Sequence, residues 1–313
     1  MPKSSMEIEK PASRSSFIRV KIRSSLSISC LLYTSSFAVY PTQSISKEAK
    51  KKIAEYGIAL GRALGVKGLF NIQFVMDKEE NVYVIEVNPR ASRTVPILSK
   101  VTGIKMVALA TRVMMGESLK DMGFETSVHK ESKLITVKAP VFSFAKLATV
   151  DTFLGPEMKS TGEVMGTDRT FIKALKKAFL ASGSSIPDKE GKILISVANR
   201  DKEEALGIAR EMQECGFELC ATPGTHAYFK EHGFDVELVP NEKVLDRIKN
   251  GDFVLIVNTP TRGKQKTRSG FHLRRTAVGF NVPCITSMDT VNSMLKVLQS
   301  DDNLSIIPLN EYK

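Results

Sequence analysis

The stretch that decides the fold of the first half of this chain is Val82–Pro96, which reads Val-Tyr-Val-Ile-Glu-Val-Asn-Pro-Arg-Ala-Ser-Arg-Thr-Val-Pro. Its first four residues are β-branched or aromatic, so it begins as a β-strand. Side chains two apart on a strand share a face, which places Glu86 beside Asn88. A second apolar run, Gly68–Val75, also predicts a strand. The Asp77–Asn81 turn would pair the two strands in antiparallel fashion.

Side chains on these two strands suit a magnesium ion. Glu86 offers a carboxylate and Asn88 an amide oxygen, and the antiparallel pairing would bring Gln73 to the same place. Mg²⁺ prefers hard oxygen ligands and usually keeps phosphate oxygens of its substrate in its coordination shell. Arg90 and Arg93 follow directly, and guanidinium groups neutralise phosphate charge. An ordinary ion-pair cluster at a strand end would give the same spacing, so the spacing alone leaves both readings open.

A second string of sequence changes the balance between these readings. Residues 154–166 read Leu-Gly-Pro-Glu-Met-Lys-Ser-Thr-Gly-Glu-Val-Met-Gly. This string and the stretch around Glu86 resemble the ATP-grasp enzymes, and specifically the large subunit of carbamoyl-phosphate synthetase. The resemblance runs from about Val39 to the C-terminus. Two long strings in the right order make chance similarity a poor explanation.

The resemblance implies an ATP-dependent ligase that builds carbamoyl phosphate from bicarbonate and ammonia. This chain would belong to the half that phosphorylates carbamate, with ATP and Mg²⁺ (or Mn²⁺) as cofactors. Gln73, Glu86 and Asn88 would hold the metal. Arg90 and Arg93 would be catalytic, Arg90 by steadying the transferred phosphoryl group. A glutaminase small subunit is the partner of the full-length family member.

Composition and charge limit the function classes further. The chain has 313 residues, enough for two domains, and a formal net charge of +11 at pH 7. It has no tryptophan and no helix-turn-helix, zinc-finger or aromatic RNA-binding signature, so we favour anionic small molecules over nucleic acid as partners. No apolar run is long enough to span a bilayer. The cysteines lack metal-ligand spacing and are typical of reduced thiols, so we expect a cytoplasmic protein with no membrane partner.

The chain divides into segments of different character. Residues 1–38 are rich in serine and basic side chains and show no sustained period, so we expect a disordered leader outside the family similarity. Residues 39–182 are expected to form the C-terminal part of an ATP-grasp domain, an α+β lobe with an antiparallel sheet. A linker follows at 183–191. Because the family's adenine pocket and glycine-rich lid would lie upstream of residue 39, we predict a truncated or misjoined chain that cannot complete the reaction alone.

Several elements are predicted within 39–182. A helix begins after Ser46, which can cap it, and has an apolar stripe at Ile53, Tyr56, Leu60 and Leu64. Further predictions are a helix over 101–115, a strand within 134–144 and a helix over 170–180.

Beyond the linker, strands and helices alternate over residues 192–313. The predicted strands are 193–197, 217–221, 236–239, 253–258 and 283–286, and the predicted helices are 202–214, 226–231, 242–249, 269–278 and 290–299. Short apolar strands alternating with helices indicate a parallel sheet covered by helices, a doubly wound α/β domain. Ligands of such sheets bind beyond the carboxyl ends of the strands.

Three strand ends of this domain carry side chains that suit phosphate. Ser196 and Lys202 flank the first turn, Thr222–Thr225 follows the second strand, and Asn258–Gly263 follows the fourth. Hydroxyls, backbone amides and a helix N-terminus together form an anion cradle. Turn and cap chemistry explains any one of these loops, but the convergence of all three favours a phosphate site.

The domain over 192–313 resembles the methylglyoxal-synthase-like fold that forms the allosteric domain of carbamoyl-phosphate synthetase. The resemblance implies a regulatory nucleotide such as UMP or IMP, bound by Ser196, Lys202, Thr222, Thr225, Asn258 and Thr259. A stand-alone nucleotide-binding module is the alternative function. A true methylglyoxal-synthase lyase is a weaker one, because the stretch 240–246 lacks the aspartate loop that such an enzyme uses. In the basic segment 262–275, Arg274 and Arg275 could face an anionic ligand or a domain interface.

Overall fold

The computed structural model describes residues 16–21, 37–124, 131–146, 150–153, 159–187, 191–261, 269–300 and 304–312. The start of the string at 154–166, the first half of the basic segment 262–275 and part of the linker lie outside these ranges. The chain divides into two compact units. The first comprises Met1–Leu31, Tyr40–Lys133 and Leu309–Lys313, and the second comprises Leu32–Val39 and Leu134–Pro308. Within the described ranges, none of the helices is long and apolar enough to cross a membrane.

Strands and helices of the described residues are numbered in chain order. The strands are β1 (Ser16–Lys21), β2 (Ala38–Tyr40), β3 (Gly68–Met76), β4 (Val82–Asn88), β5 (Ile135–Val141), β6 (Gly162–Asp168), β7 (Lys192–Ser196), β8 (Glu218–Ala221), β9 (Glu237–Leu238), β10 (Phe253–Asn258) and β11 (Cys284–Ile285). The helices are α1 (Lys47–Ala63), α2 (Val95–Thr102), α3 (Met106–Met114), α4 (Phe171–Ala181), α5 (Lys202–Glu214), α6 (Pro223–Glu231), α7 (Asn241–Lys249), α8 (Ser269–Gly279) and α9 (Met288–Gln299).

The sheet of the first unit has the strand order β1-β3-β4. The predicted antiparallel pair is confirmed, because β3 and β4 pair with Gln73 opposite Glu86. The turn between them closes with the Asp77 amide donating to the Asn81 carbonyl at 3.1 Å. Apolar side chains of β3 at Phe70, Ile72, Phe74 and Met76 pack with Val82 and with α1 to form the core of this unit.

Helix α1 begins where the sequence predicts, but its buried face differs from the predicted stripe. Ser46 caps it by accepting a hydrogen bond from the Ala49 amide at 3.1 Å. Of the predicted stripe, Ile53 is buried, whereas Leu64 is 57% exposed. The remaining buried positions of the helix are Ala49, Gly57 and Gly61. The four buried positions recur every four residues and three of them are small, which lets the helix backbone approach the sheet closely.

The helix predicted over 101–115 is two helices. Gly103 has a left-handed backbone (φ 72°) and ends α2, and α3 begins at Met106. Glycine adopts positive φ without a Cβ penalty, which is why a helix ends there so readily. The start of α2 includes Pro96 in its first turn, where its missing N–H is not needed.

Two domain expectations differ from the structure. Residues 16–21, which the sequence placed in a disordered leader, form β1, and β1 pairs with β3 in parallel. Residues 134–182, expected with the ATP-grasp portion, belong to the second compact unit. The physical reason is the apolar face of α4. Its Leu175 and Phe179 are buried in the same hydrophobic cluster as Ile193 of β7, Met212 of α5 and Met294 of α9.

The second unit contains the parallel sheet that the sequence predicts. Its five strands have the order β11-β10-β7-β8-β9, and every pair is parallel. From β7 the chain passes to β8 and β9 on one side, and then to β10 and β11 on the other. The loops after β7 and β10 therefore leave the sheet in opposite directions, which opens a crevice at the carboxyl ends of these two strands. A smaller sheet of order β2-β5-β6 is built on the antiparallel pair of β5 and β6.

Candidate functional site

The side chains predicted to bind metal converge on one carboxylate oxygen. Gln73 Nε2 donates to Glu86 Oε1 at 2.6 Å, and Asn88 Nδ2 donates to the same atom at 2.9 Å. Gln73 and Asn88 are half-buried and Glu86 is exposed. The structure therefore brings the three predicted residues together on one face of the β3–β4 pair.

A β-bulge produces this arrangement. Gln73 lies opposite Glu86 and Phe74 lies opposite Val84, so Ile85 is an extra residue without a partner in the ladder. Strict alternation from buried Val82 would have turned Glu86 toward the apolar core. The extra residue moves it to the opposite face. Bulges occur next to active sites because they re-aim a side chain in this way.

Asn71 belongs to the same face, although the sequence analysis did not single it out. It lies directly opposite Asn88 in the ladder and two residues before Gln73. Its side chain is 7% exposed, and its Oδ1 has no hydrogen-bond partner within the described part of the chain. A buried amide oxygen without a partner is costly, so it indicates a position where a further group binds. The signal available in the sequence was an asparagine inside an otherwise apolar strand.

These residues fit a hard cation. Asn71, Gln73 and Asn88 supply amide oxygens next to the Glu86 carboxylate, and oxygen ligands of this kind suit Mg²⁺ or Mn²⁺. The hydrogen bonds to Glu86 use the nitrogen ends of Gln73 and Asn88, and a rotation of each amide presents its oxygen instead. The described residues contain no cluster of three or more histidine, cysteine, aspartate or glutamate side chains that could hold a metal.

Arg90 and Arg93 lie in the loop that joins β4 to α2. Both side chains are exposed, and Arg90 Nη1 donates to the Ala91 carbonyl at 3.2 Å. Because the loop begins just after Asn88, both arginines lie close in sequence to the candidate metal ligands.

The second predicted site lies at the carboxyl ends of β7, β8 and β10. We call residues 196–202, 222–225 and 258–261 the anion loops. The strands that precede these loops are adjacent in the sheet, in the order β10-β7-β8, so the loops meet at one edge. Thr222 Oγ1 donates to Ser196 Oγ at 3.0 Å, which links the first loop to the second.

Three of the predicted effector-binding side chains are buried and form hydrogen bonds with the backbone of the first anion loop. Thr225, Asn258 and Thr259 are 2%, 3% and 6% exposed. Thr225 Oγ1 accepts from the Val197 amide at 3.2 Å, and Thr259 Oγ1 accepts from the Ala198 amide at 2.9 Å. Asn258 Nδ2 donates to the Ser196 carbonyl at 2.8 Å. These bonds fix the backbone of the loop before any ligand binds.

The other predicted residues, Ser196, Lys202 and Thr222, are half-buried. Lys202 Nζ lies 5.6 Å from the centroid of the Tyr228 ring, a cation–π contact that holds the ammonium near the start of α6. Gly224 leaves space beside it, because a Cβ at that position would lie 4.0 Å from Lys202 Nζ. A cation beside a helix N-terminus suits a phosphate group.

Two arginines near the anion loops make contacts that the sequence analysis did not predict. Arg200 Nη2 donates to the Pro260 carbonyl at 3.1 Å, so it bridges the first and third loops while remaining exposed. Arg274 was predicted to face a ligand or an interface. It is 5% exposed, donates to Asn258 Oδ1 at 2.7 Å and pairs with Asp151, which lies in the preceding predicted domain, 39–182. The position of Arg200 after a predicted strand was the available signal.

Comparisons with known proteins agree with both halves of this description. Residues 26–122 match the family model described as the carbamoyl-phosphate synthase L chain, ATP-binding domain, and residues 204–286 match the MGS-like domain. The first match begins inside the segment that we expected to lie outside the family. Among solved structures, a methylglyoxal synthase from Elizabethkingia anophelis is similar over 37% of this chain and 81% of its own length. Its sequence identity is 12% and its TM-score is 0.30, so we base no conclusion on it.

The two family models match in the order that the sequence resemblance predicted, and together they span more than half of the 313 residues. The chain contains an ATP-binding segment of an ATP-dependent ligase followed by an MGS-like domain. The chain therefore matches the carbamoyl-phosphate synthase large chain in its ATP-binding segment and carries an MGS-like domain after it, the order of the resemblance described above.

Proposed function

We propose that the β3–β4 pair takes part in the Mg-ATP-dependent phosphorylation of carbamate. The supporting observation is the convergence of Gln73 and Asn88 on Glu86 Oε1, at 2.6 and 2.9 Å, beside the buried amide of Asn71. These four side chains would hold Mg²⁺ or Mn²⁺. A bound ion would neutralise charge on the phosphates of ATP.

The remaining contribution of the chain is positional and electrostatic. Phosphoryl transfer requires little covalent chemistry from a protein, and most of the catalysis comes from orientation and charge neutralisation. Arg90 would steady the transferred phosphoryl group, and Arg93 would add positive charge from the same loop. The β-bulge at Ile85 contributes by keeping Glu86 on the polar face of the strand pair.

We also propose that the anion loops bind a phosphate-bearing nucleotide, such as UMP or IMP, that regulates carbamoyl phosphate synthesis. Support comes from the hydrogen bonds that hold the Ser196–Ala198 backbone before a ligand arrives. A preformed site avoids part of the entropy cost of ordering a loop on binding. Ser196, Lys202 and Thr222 would contact the phosphate.

Ligand titration of the purified chain tests this regulatory site. A ligand that binds only the folded state raises the midpoint of thermal unfolding as its concentration grows. We expect UMP or IMP to raise it, and we expect Lys202→Met to weaken that binding by about tenfold, because a charge-assisted phosphate contact is lost. Lys230→Met is the matched control, because Lys230 is exposed at the far end of α6. Absence of any shift with UMP, IMP or inorganic phosphate at millimolar concentration would contradict the proposal.

The activity of the isolated chain is a separate proposal. We propose that this polypeptide is cytoplasmic and that alone it forms no carbamoyl phosphate from bicarbonate, ammonia and Mg-ATP. A glutaminase small subunit would be the partner of the full-length family member. A steady-state assay of carbamoyl phosphate formation tests whether the chain alone is active. Turnover above the rate of a Glu86→Gln variant would show that the prediction of inactivity is wrong.

A further inference from the structure

The second unit contains a buried arginine that joins two distant parts of its sequence. Arg274 of α8 is 5% exposed and forms a two-pronged ion pair with Asp151. Its Nε donates to Asp151 Oδ1 at 2.8 Å and its Nη2 donates to Asp151 Oδ2 at 2.6 Å. The third nitrogen, Nη1, donates to Asn258 Oδ1 at 2.7 Å. One guanidinium therefore connects the segment around Asp151 with the end of β10.

The connection continues to the first anion loop. Asn258 is 3% exposed, and its Nδ2 donates to the Ser196 carbonyl at 2.8 Å. Arginine carries only donors, so it accepts no hydrogen bond and can face only the oxygen end of the Asn258 amide. This contact leaves the nitrogen end directed at Ser196. Gly270 leaves room for the contact, since a Cβ there would lie 3.2 Å from Arg274 Nη1.

We propose that Arg274 is a positioning residue for the anion loops, and that Asp151 fixes it in place. Arg274 sets the orientation of the Asn258 amide, and that amide holds the Ser196 carbonyl and so the backbone of the loop. This inference rests on the proposed effector site for its binding consequence, but the positioning itself is a property of the ligand-free protein. Binding at the anion loops and order in the segment around Asp151 are then linked, and such coupling is reciprocal.

The electrostatics of the pair agree with a fixed position. Burial alone would raise the pKa of Asp151, but hydrogen bonds from Arg274 and from the Phe153 amide outweigh it and leave the pKa below its usual value. Asp151 therefore stays ionised at neutral pH. A buried guanidinium that loses its carboxylate is strongly unfavourable, which makes the pair a constraint rather than an optional contact.

The neighbouring Arg275 supplies a matched control. Its Nη1 donates to the carbonyls of Phe144 and Val150 at 3.1 and 3.4 Å. Arg275 thus contacts the same segment from the same helix, and the bonds that it makes go to backbone carbonyls and not to Asn258. Substitution of Arg275 tests general loosening of the segment, whereas substitution of Arg274 tests the path to the anion loops.

Amide hydrogen exchange of the ligand-free chain is the primary experiment. We compare Arg274→Lys, Asp151→Asn and Arg275→Lys after checking each fold by circular dichroism. Lysine keeps the charge at 274 but cannot bridge Asp151 and Asn258 with a planar fork. We expect exchange at the Val197 and Ala198 amides to rise by about fivefold or more in the first two variants, and by less than about twofold in Arg275→Lys. Wild-type exchange at these amides in Asp151→Asn, the milder change, would overturn the proposal even if Arg274→Lys failed to fold.

Calorimetric titration with UMP and with inorganic phosphate is the second measurement. We expect Arg274→Lys to weaken binding by about tenfold and Arg275→Lys to leave it within about twofold, because only the former releases the loop. Equal weakening in both variants would overturn the specific role of Arg274. If the wild-type chain binds neither probe, the effector proposal fails, and the exchange experiment alone decides whether Arg274 positions the loop.

Discussion

Glu86 is the residue whose chemistry is most sharply defined in this molecule. It is the carboxylate on which Gln73 and Asn88 converge. We predict that Glu86→Gln weakens Mn²⁺ binding at least about tenfold, because the metal loses the charged ligand among these neighbouring side chains. Electron paramagnetic resonance of free Mn²⁺ during titration measures the dissociation constant directly.

Glu79→Gln is the matched control for this measurement. Glu79 is exposed in the turn between β3 and β4 and carries the same charge. It should leave the Mn²⁺ dissociation constant unchanged. Equal weakening by both substitutions would mean that the effect comes from net charge and not from coordination.

Asp168 makes a different kind of contribution, because its charge is buried. It pairs with Lys177 at 2.9 Å and accepts from Ser305 Oγ at 2.6 Å. Burial alone would raise the pKa of Asp168, but these hydrogen bonds outweigh it and hold the pKa below the usual 3.8. We predict that Asp168→Asn lowers the free energy of unfolding at pH 7 by about 2–4 kcal/mol, since it removes the carboxylate that pairs with Lys177 and leaves only the Thr167 carbonyl as its acceptor.

The pH dependence of this effect has a defined sign. A carboxylate with a depressed folded-state pKa stabilises the protein fully above its unfolded pKa, and loses that contribution as the pH falls through the folded value. The difference between wild type and Asp168→Asn should therefore shrink below about pH 4. Urea unfolding at pH 7, 5 and 3 measures it, and a difference that grows toward acid pH would contradict the assignment.

At the residue level, the sequence predicted which side chains lie together better than it predicted what each of them contacts. Gln73, Glu86 and Asn88 were identifiable because two of them are two apart on a strand. Thr225, Asn258 and Thr259 were identified as ligand contacts, but the structure has them holding backbone amides and a carbonyl. The partners of Arg274 were not predictable, because Asp151 lies 123 residues away in the chain.

Among the elements, β6 and α4 pack unusually closely. A Cβ on Gly166 would lie 2.2 Å from the Ala174 carbonyl oxygen and 2.3 Å from the Ala178 nitrogen. Backbone atoms of a helix cannot move aside as a flexible side chain can. We predict that Gly166→Ala lowers the free energy of unfolding by about 3 kcal/mol or more, because the helix must shift.

Gly162→Ala in the same strand is the control for this prediction. A Cβ at Gly162 meets nothing closer than 3.8 Å, the distance to Val141 Cβ. This substitution should change the stability by less than about 1 kcal/mol. Chemical unfolding of both variants measures the difference, and similar stabilities would show that β6 and α4 have room to separate.

The predictability of the elements follows their hydrophobic patterns. The parallel strands and helices of 192–299 were predictable because short apolar runs alternate with amphipathic ones. The strand β6 was missed because Gly162 and Gly166 interrupt its pattern. The bulge at Ile85 was also missed, because the prediction assumed that side chains alternate regularly along the strand and nothing in the sequence marks the extra residue.

For the whole molecule, the formal net charge of +11 predicts how it interacts with polyanions. Such a charge attracts polyanions non-specifically, and that attraction is weakened by salt through counterion release. We predict that any affinity for duplex DNA falls about 100-fold or more between 50 and 200 mM salt. Fluorescence anisotropy with a labelled duplex measures this. Tight binding that survives 200 mM salt would favour a nucleic-acid function over a nucleotide-binding one.

Division of the chain into units was the weakest part of the sequence prediction at this scale. The boundary predicted at 182 followed a cluster of serine, glycine and proline, which is a local signal. The units of the structure follow burial instead, and α4 joins the later residues because Ala174, Leu175, Ala178 and Phe179 are buried in their core. Composition also placed residues 16–21 in a leader, whereas their Phe-Ile-Arg-Val run forms β1.

The strand β4 has a consequence for handling the protein. Among the described strands it lies at the edge of its sheet, and Tyr83, Val84 and Ile85 are 54%, 42% and 40% exposed. An edge strand with unpaired backbone groups and exposed apolar side chains is a template on which copies of a chain stack into aggregates. The charge of Glu86 beside this run acts as a gatekeeper against such stacking. The same carboxylate that suits a metal therefore also helps to keep the polypeptide dispersed at high concentration.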